Sequence, residues 1–399
     1  MVTRRLAGHL ALALVLVLLF TLVHAVIGHI DVRSGEGYDG ADYAAMLKNG
    51  WVAGSVFSRL RPLVVWLNQP AFALTGNVVR AFDIMNVVYV GVLGLLLSVL
   101  MERYGAPWSA RAIAIACVGL SNGLRLPAYY PVLIDLGACV FITLAILLIV
   151  SGPRWAAAVA CVAAVLAREF APAVIMFGVH RDLRHGARWR TITATYLPAS
   201  VVYLVLRIIV ARISVTEGNS LRVFLGNLVL WQDPMWIGLF TYFSVTYIGG
   251  LTLVTAADVS GVWRLLREEH EWASFVLPIT IAAALVGPDV WRYLVALTPA
   301  ALVFYARCAS QWTRQERIAL SITAVALTLW TQRPWEPMNL TRYFTEWFPY
   351  YAWRGTVPED VPLTALWPDW GIRFLVVGLS MVAVTVYTQR RGSAALIST

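Results

Sequence analysis

The chain has 399 residues, of which 59% are hydrophobic and only 13% are charged, and its mean hydropathy is +0.70. A soluble globular domain carries about a quarter charged residues, so a soluble chain and a disordered one are both excluded. The net charge of +9 does not point to nucleic acid. In a polytopic membrane protein such an excess belongs on the cytoplasmic loops.

At the N-terminus, Arg4 and Arg5 precede an apolar stretch that runs to about Ile27. The order is that of a signal peptide, but the stretch exceeds an h-region of ~7–15 residues and reads as an uncleaved first span. Further apolar runs lie near 82–101, 111–121, 129–151, 155–167, 170–180, 191–211, 235–256, 273–287, 290–308, 318–331 and 371–388. The expected fold is an all-α polytopic membrane protein of about 10–13 transmembrane or re-entrant helices with a helical first outer loop. Residues 1–331 form the transmembrane module, with the outer loop at 30–81. An aromatic outer loop follows at 332–370, then a last span and tail at 371–399.

Two of the runs are too short to cross. Ala156 to Ala167 and Phe170 to Val179 would each rise only ~15–18 Å against a hydrocarbon core of ~30 Å. Arg154 flanks one end and the basic run His180 to Arg190 the other. Both ends therefore read as cytoplasmic, and the pair as a hairpin whose tip carries Arg168 and Glu169 into a cavity on the outer side. On this topology the net positive charge falls on the cytoplasmic side, yet the arginines divide almost evenly. Arg33, Arg59, Arg61, Arg125, Arg168, Arg292 and Arg342 stay outside. Arginine near hydrocarbon is costly unless paired or solvated, and its planar fork of donors suits phosphate. The pattern points to an anionic lipid headgroup.

The first outer loop reads Gly35-Glu36-Gly37-Tyr38-Asp39-Gly40-Ala41-Asp42-Tyr43. Gly37 and Gly40 bracket Asp39, as a tight turn presenting a carboxylate requires. Asp42 precedes a short helical stretch, Tyr43 to Lys48, and also suits an N-cap. Then come Arg59-Leu60-Arg61-Pro62 and an apolar helix to Leu74, too short for a crossing and expected at the interface. Arg59 and Arg61 fit interfacial snorkelling. They equally fit a phosphate grip ahead of a proline-initiated helix, whose N-terminus adds partial positive charge.

The Tyr-Asp-Gly motif after the first span, the Arg-Pro-Leu helix start and the Gly76-Asn77 pair with Arg80 together resemble the GT-C superfamily of membrane glycosyltransferases. That group includes polyprenyl-phosphate-sugar-dependent mannosyltransferases and lipid A aminoarabinose transferases. The resemblance implies Asp39 as catalytic base, with Asp42 as its rival, and Arg61 as a contact to the lipid phosphate. It extends to Asp135 at the start of a span after Tyr129-Tyr130-Pro131, to Arg168-Glu169 at the hairpin tip, and to Asp289-Val290-Trp291-Arg292 opening a late span. Arg59, Arg61, Arg125, Asp135, Arg168, Glu169, Asp289 and Arg292 are thus the expected substrate-binding set. The chain departs from the family in being short, without a large soluble C-terminal domain, and in lacking an Asp-Glu pair.

What the resemblance implies is inverting transfer of a sugar from a polyprenyl-phosphate donor to a glycan, lipid or protein acceptor. The setting is the inner (plasma) membrane, with the site facing the periplasm or exterior. No cofactor is assigned and a divalent cation stays open. The rival readings are a flippase or transporter of a lipid-linked anion, and a lipid-linked polysaccharide polymerase or ligase. Blander readings stand beside these: Arg168 with Glu169, Asp289 with Arg292 and Asp135 with Arg125 as structural ion pairs. Likewise Trp335, Trp347, Trp353, Trp367 and Trp370, with Tyr343, Phe348, Tyr350 and Tyr351, suit an interfacial aromatic belt. Cys117, Cys139, Cys161 and Cys308 sit in apolar runs without a CxxC or Cys/His cluster, and the histidines give no ligand pattern. Neither a disulfide framework nor a zinc site is indicated.

Overall fold

The computed structural model describes residues 2–213, 226–285, 290–355 and 366–397, and these contain helices and no strand. The first helix, α1 (Val2–Ile27), shows why the chain is a membrane protein. Leu12, Leu16, Phe20, Val23 and Ile27 are buried, while Leu6, Leu10, Leu14, Leu18 and Leu22 are each more than half exposed on the other side. In water so continuous an apolar face would drive aggregation. In a bilayer it is the solvated face, because lipid tails are as apolar as leucine.

The outer-loop helices are α2 (Gly40–Asn49), α3 (Val56–Arg59) and α4 (Pro62–Thr75). The bundle continues with α5 (Val78–Arg103), α6 (Trp108–Gly119), α7 (Asn122–Tyr129), α8 (Asp135–Ser151), α9 (Arg154–Ala167), α10 (Pro172–Arg184) and α11 (Trp189–Ile213). Then come α12 (Pro234–Thr246), α13 (Gly250–Ala257), α14 (Val259–Glu268) and α15 (Glu271–Leu285). Last are α16 (Val290–Leu294), α17 (Thr298–Gln311), α18 (Arg314–Gln332), α19 (Leu340–Arg342), α20 (Pro349–Trp353) and α21 (Leu366–Ile397).

Six helical stretches among the described residues are long and apolar enough to span: 5–27, 78–103, 108–129, 189–213, 290–311 and 369–389. The expected spans near 111–121 and 129–151 divide differently. α6 and α7 form one spanning stretch, and α8 starts afresh at Asp135. The run at 235–256 is two helices, α12 and α13, bent by 93°. α1 packs along α5, where Gly94 lets the backbones meet: a Cβ there would lie 2.9 Å from Ala13 Cα. Close approach through small residues is how helices associate without a hydrophobic driving force.

The short pair forms the expected hairpin. α9 and α10 meet at the Arg168-Glu169 tip, and their far ends are tied by an ion pair between Arg154 and Asp182. The aromatic belt is not what forms at 332–370. Tyr343, Trp347, Phe348, Tyr350 and Trp370 are buried, and only Trp335 and Trp353 are exposed among the large apolar side chains described there. Tyr343 packs on Tyr38 and Tyr130 with ring centroids 6.0 and 6.4 Å apart. The described residues of this loop thus form an internal aromatic plug seated on the first outer loop. Asp289 and the side chain of Trp367 lie outside the described residues.

Candidate active site

The first outer loop turns where the glycines predict. Gly37 has φ +68°, and a Cβ on it would fall 2.3 Å from Tyr130 Cζ. Gly40 opens α2 and donates its N–H to the Tyr130 hydroxyl at 2.5 Å. Asp39 rather than Asp42 occupies the N-cap position, without a side-chain cap bond. Asp42 lies in the first turn, so the expected capping role for it is corrected. Both carboxylates sit at a helix N-terminus, where the dipole favours negative charge.

Around this turn three arginines from separate segments converge. Arg292, on α16, places Nη1 2.6 Å from Asp39 Oδ2 and Nη2 3.2 Å from Asp135 Oδ2. Arg168, at the hairpin tip, places Nη1 2.9 Å from Asp135 Oδ1. Arg61, just before α4, holds Glu169 through both its Nε, at 2.6 Å, and its Nη2, and donates from Nη1 to the Tyr43 hydroxyl at 2.8 Å. Tyr293 donates to Glu169 at 3.3 Å. The Arg168 guanidinium lies over the Phe170 and Tyr293 rings, 5.1 and 5.3 Å from their centroids. Asp135 therefore bridges Arg168 and Arg292; the expected pairing with Arg125 does not occur.

These groups enclose a cavity of about 260 Å³ lined by Asp39, Asp42, Tyr43, Arg61, Arg168, Arg292 and Tyr293 together with Ser55, Phe57 and Ser58. Its size is just below the ~300 Å³ at which ligand pockets typically begin. Asp39 keeps 54% of its side chain open to this space despite its ion pair. Burial pushes its carboxyl up, but Arg292, with Arg61 and Arg168 behind it, outweighs this and holds it below the ordinary value. Burial likewise raises Glu169, and Arg61 and Arg168 bring it down to about 2. The Asp42 N–H donates to the Asp39 carbonyl at 3.1 Å, and its carboxylate has no hydrogen bond or ion pair among the described residues.

The charge arrangement is more balanced than a bare anion trap. Each arginine already faces a carboxylate, and Asp42 is surplus. Arg168 is 1% exposed; its Nη1 is in ion contact with Asp135, while its Nε, 3.8 Å from Glu169 Oε2, makes no hydrogen bond of standard geometry. A buried donor held in poor geometry is under-satisfied, and an entering phosphate oxygen would improve the pairing of Nε.

Two expected binding residues stand elsewhere. Arg59 bonds the Val52 carbonyl through Nε and Nη2 at 3.2 and 2.8 Å and so braces the outer loop. Arg125 is fully buried, donates to Glu346 at 2.9 Å and to the Gln332 carbonyl at 2.5 Å, and lies over the Trp347 ring. Glu346 also accepts from Arg342 at 2.6 Å. This second network anchors the aromatic plug. Sequence reasoning missed Tyr43, Tyr130 and Tyr293; each adjoins a charged or turn motif, but a hydroxyl's partner is set by the fold.

The fold also gathers His24, His29 and Asp83, whose ligand atoms lie within 4.8 Å of one another. Asp83 is on α5, so no local spacing signals the group. His24 Nδ1 is bonded to the Ala128 carbonyl at 2.7 Å. No family model, curated protein or solved structure matches the chain.

Proposed function

We propose that the chain is a membrane glycosyltransferase of the GT-C kind, moving a sugar from a polyprenyl-phosphate donor to an acceptor hydroxyl on the extracytoplasmic face. One observation carries this reading. The acids of the first outer loop share a single cavity with arginines delivered by the α4 start, the α9–α10 tip and α16. General-base transfer from a phosphate leaving group needs this pairing of carboxylate and fixed cations.

In the proposed step the acceptor hydroxyl gives its proton to Asp39. The oxygen forms a bond to the anomeric carbon, and the carbon–oxygen bond to phosphate breaks with its electron pair on phosphate. In-line attack inverts the centre. Arg168, through its poorly paired Nε, receives the leaving phosphate, and Arg61 and Arg292 shift part of their hydrogen bonding from Glu169 and Asp135 to it. A second assignment, Asp42 as base, is favoured by its carboxylate lacking an ion pair among the described residues.

The test is turnover by the purified protein with a panel of polyprenyl-phosphate sugars. Release of polyprenyl phosphate with an inverted glycosidic product supports the proposal. Donor binding without turnover across the panel, together with movement of lipid-linked sugar between leaflets, overturns it in favour of a flippase.

A further inference from the structure

A second polar cavity lies at the opposite end of the bundle. α8 runs from Asp135, which pairs with the Arg168 and Arg292 of the Asp39 cavity, to Ser151, which lines this second one. At ~1.5 Å per residue the two are ~24 Å apart along the helix. The second cavity measures about 360 Å³, and its walls come from Arg103, Tyr104, Arg181, Arg184, Glu269 and Arg307. These stand at the ends of α5 and α10, between α14 and α15, and on α17. We infer that it is a binding site for a phosphate group.

Charge makes the first argument. Arg181 and Arg184 bond Glu271, which is wholly buried, at 3.0 and 2.7 Å. Arg307 pairs with Glu269. Arg103 is exposed and has no ion-pair partner among the described residues. Four guanidinium groups thus meet two carboxylates, leaving an excess of two positive charges in a concave site. Arginines that merely snorkel at a helix end need neither a cavity nor convergence.

The second argument is independent of charge. Tyr104 is 5% exposed and lines the cavity; its hydroxyl oxygen faces the Trp272 indole N–H, a donor only, so the hydroxyl proton itself has no acceptor of standard geometry. Its ring is fixed beneath Arg307, 5.3 Å from the guanidinium, and edge-on to Trp272. Buried polar groups are ordinarily satisfied, so a rigid O–H donor without an acceptor, beside guanidinium donors, marks a place for an oxyanion. Phosphate offers the tetrahedral acceptors that such a set recognises. Basic pockets between spanning helices receive the headgroups of anionic lipids; a soluble phosphate has the same chemistry.

The experiment is native mass spectrometry of the full-length protein with phosphatidylglycerol, phosphatidylcholine or inorganic phosphate. One retained phosphatidylglycerol, with phosphatidylcholine lost, supports a lipid source; displacement by inorganic phosphate supports a soluble one. Arg103→Ala should weaken retention about fivefold and Arg103→Glu about twenty-five-fold, the worth of one and two charges beside an anion. Tyr104→Phe keeps the ring packing and should cost about threefold to tenfold. Arg188→Glu, outside the cavity, should change nothing. Arg181 and Arg184 are avoided because removing them strands Glu271. Absence of binding in every arm, or binding indifferent to Arg103 and Tyr104, overturns the inference.

Discussion

Asp39 and Asp42 differ in what already holds them, and the difference is measurable. Asp39→Asn should lower turnover by about 10²- to 10⁴-fold, the usual worth of a general base, while donor affinity is retained. Asp42→Asn should cost less; the reverse order in single-turnover rates would transfer the base role to Asp42. Glu169 makes a pH prediction. Its carboxyl titrates at about 2, against an ordinary 4.5. A folded value below the unfolded one stabilises fully above the ordinary value, and that contribution disappears as pH falls toward 2. Between those limits the unfolding temperature of the native chain should fall toward that of Glu169→Gln, and parallel curves would contradict this. Near neutrality Glu169→Gln should itself destabilise by roughly 3–5 kcal/mol, because Arg61 is left buried without its partner.

Among the elements, the aromatic plug and the first outer loop act as a pair. Arg125 and Glu346 anchor the plug, Tyr343 rests against Tyr130, and Tyr130 in turn holds the Gly40 amide. Gly40→Ala would put a Cβ 2.7 Å from the Val132 carbonyl oxygen and 2.8 Å from the Tyr130 ring, so α2 must move and carry both acids with it. Turnover should drop at least tenfold. Gly76→Ala is the control: φ is +63° but nothing stands within 4 Å. It should cost about 1 kcal/mol of stability and little activity. Equal losses of activity for the two substitutions would show that α2 does not depend on the Tyr130 contact.

Across the whole molecule, the two cavities give the topology a direct assay. The native cysteines are all buried, none more than 2% exposed. Cysteines placed singly at Asp42 and Arg103 should therefore react with an impermeant maleimide from opposite faces of the membrane. Labelling of both from one face would undo the arrangement of α5, α8 and the hairpin. Much of this plan was legible in the amino acids alone. Apolar length gave most spans, and the shortness of 155–167 and 170–180 gave the hairpin. The convergence of Asp39, Arg61, Arg168 and Arg292 was expected from the order of their motifs and their shared place on the outer side. Three things were hidden. Arg125 looked like a site residue because local sequence does not record that its partner is Glu346, 221 positions away. The 332–370 aromatics looked interfacial because composition is the same for a belt and a plug. The break at 235–256 was invisible because hydropathy reads both arms of a bent pair as one.

The chain holds a single lysine, Lys48. It stands in the last turn of α2, bonded to Glu36 at 2.5 Å, on the short helix that carries Asp42 and Tyr43. Amine-directed chemistry will therefore find one side chain in the whole protein, on a helix that helps to line the cavity. A fluorophore or isotope-labelled methyl group placed there would report movement of α2 on donor arrival, with no engineering of the sequence.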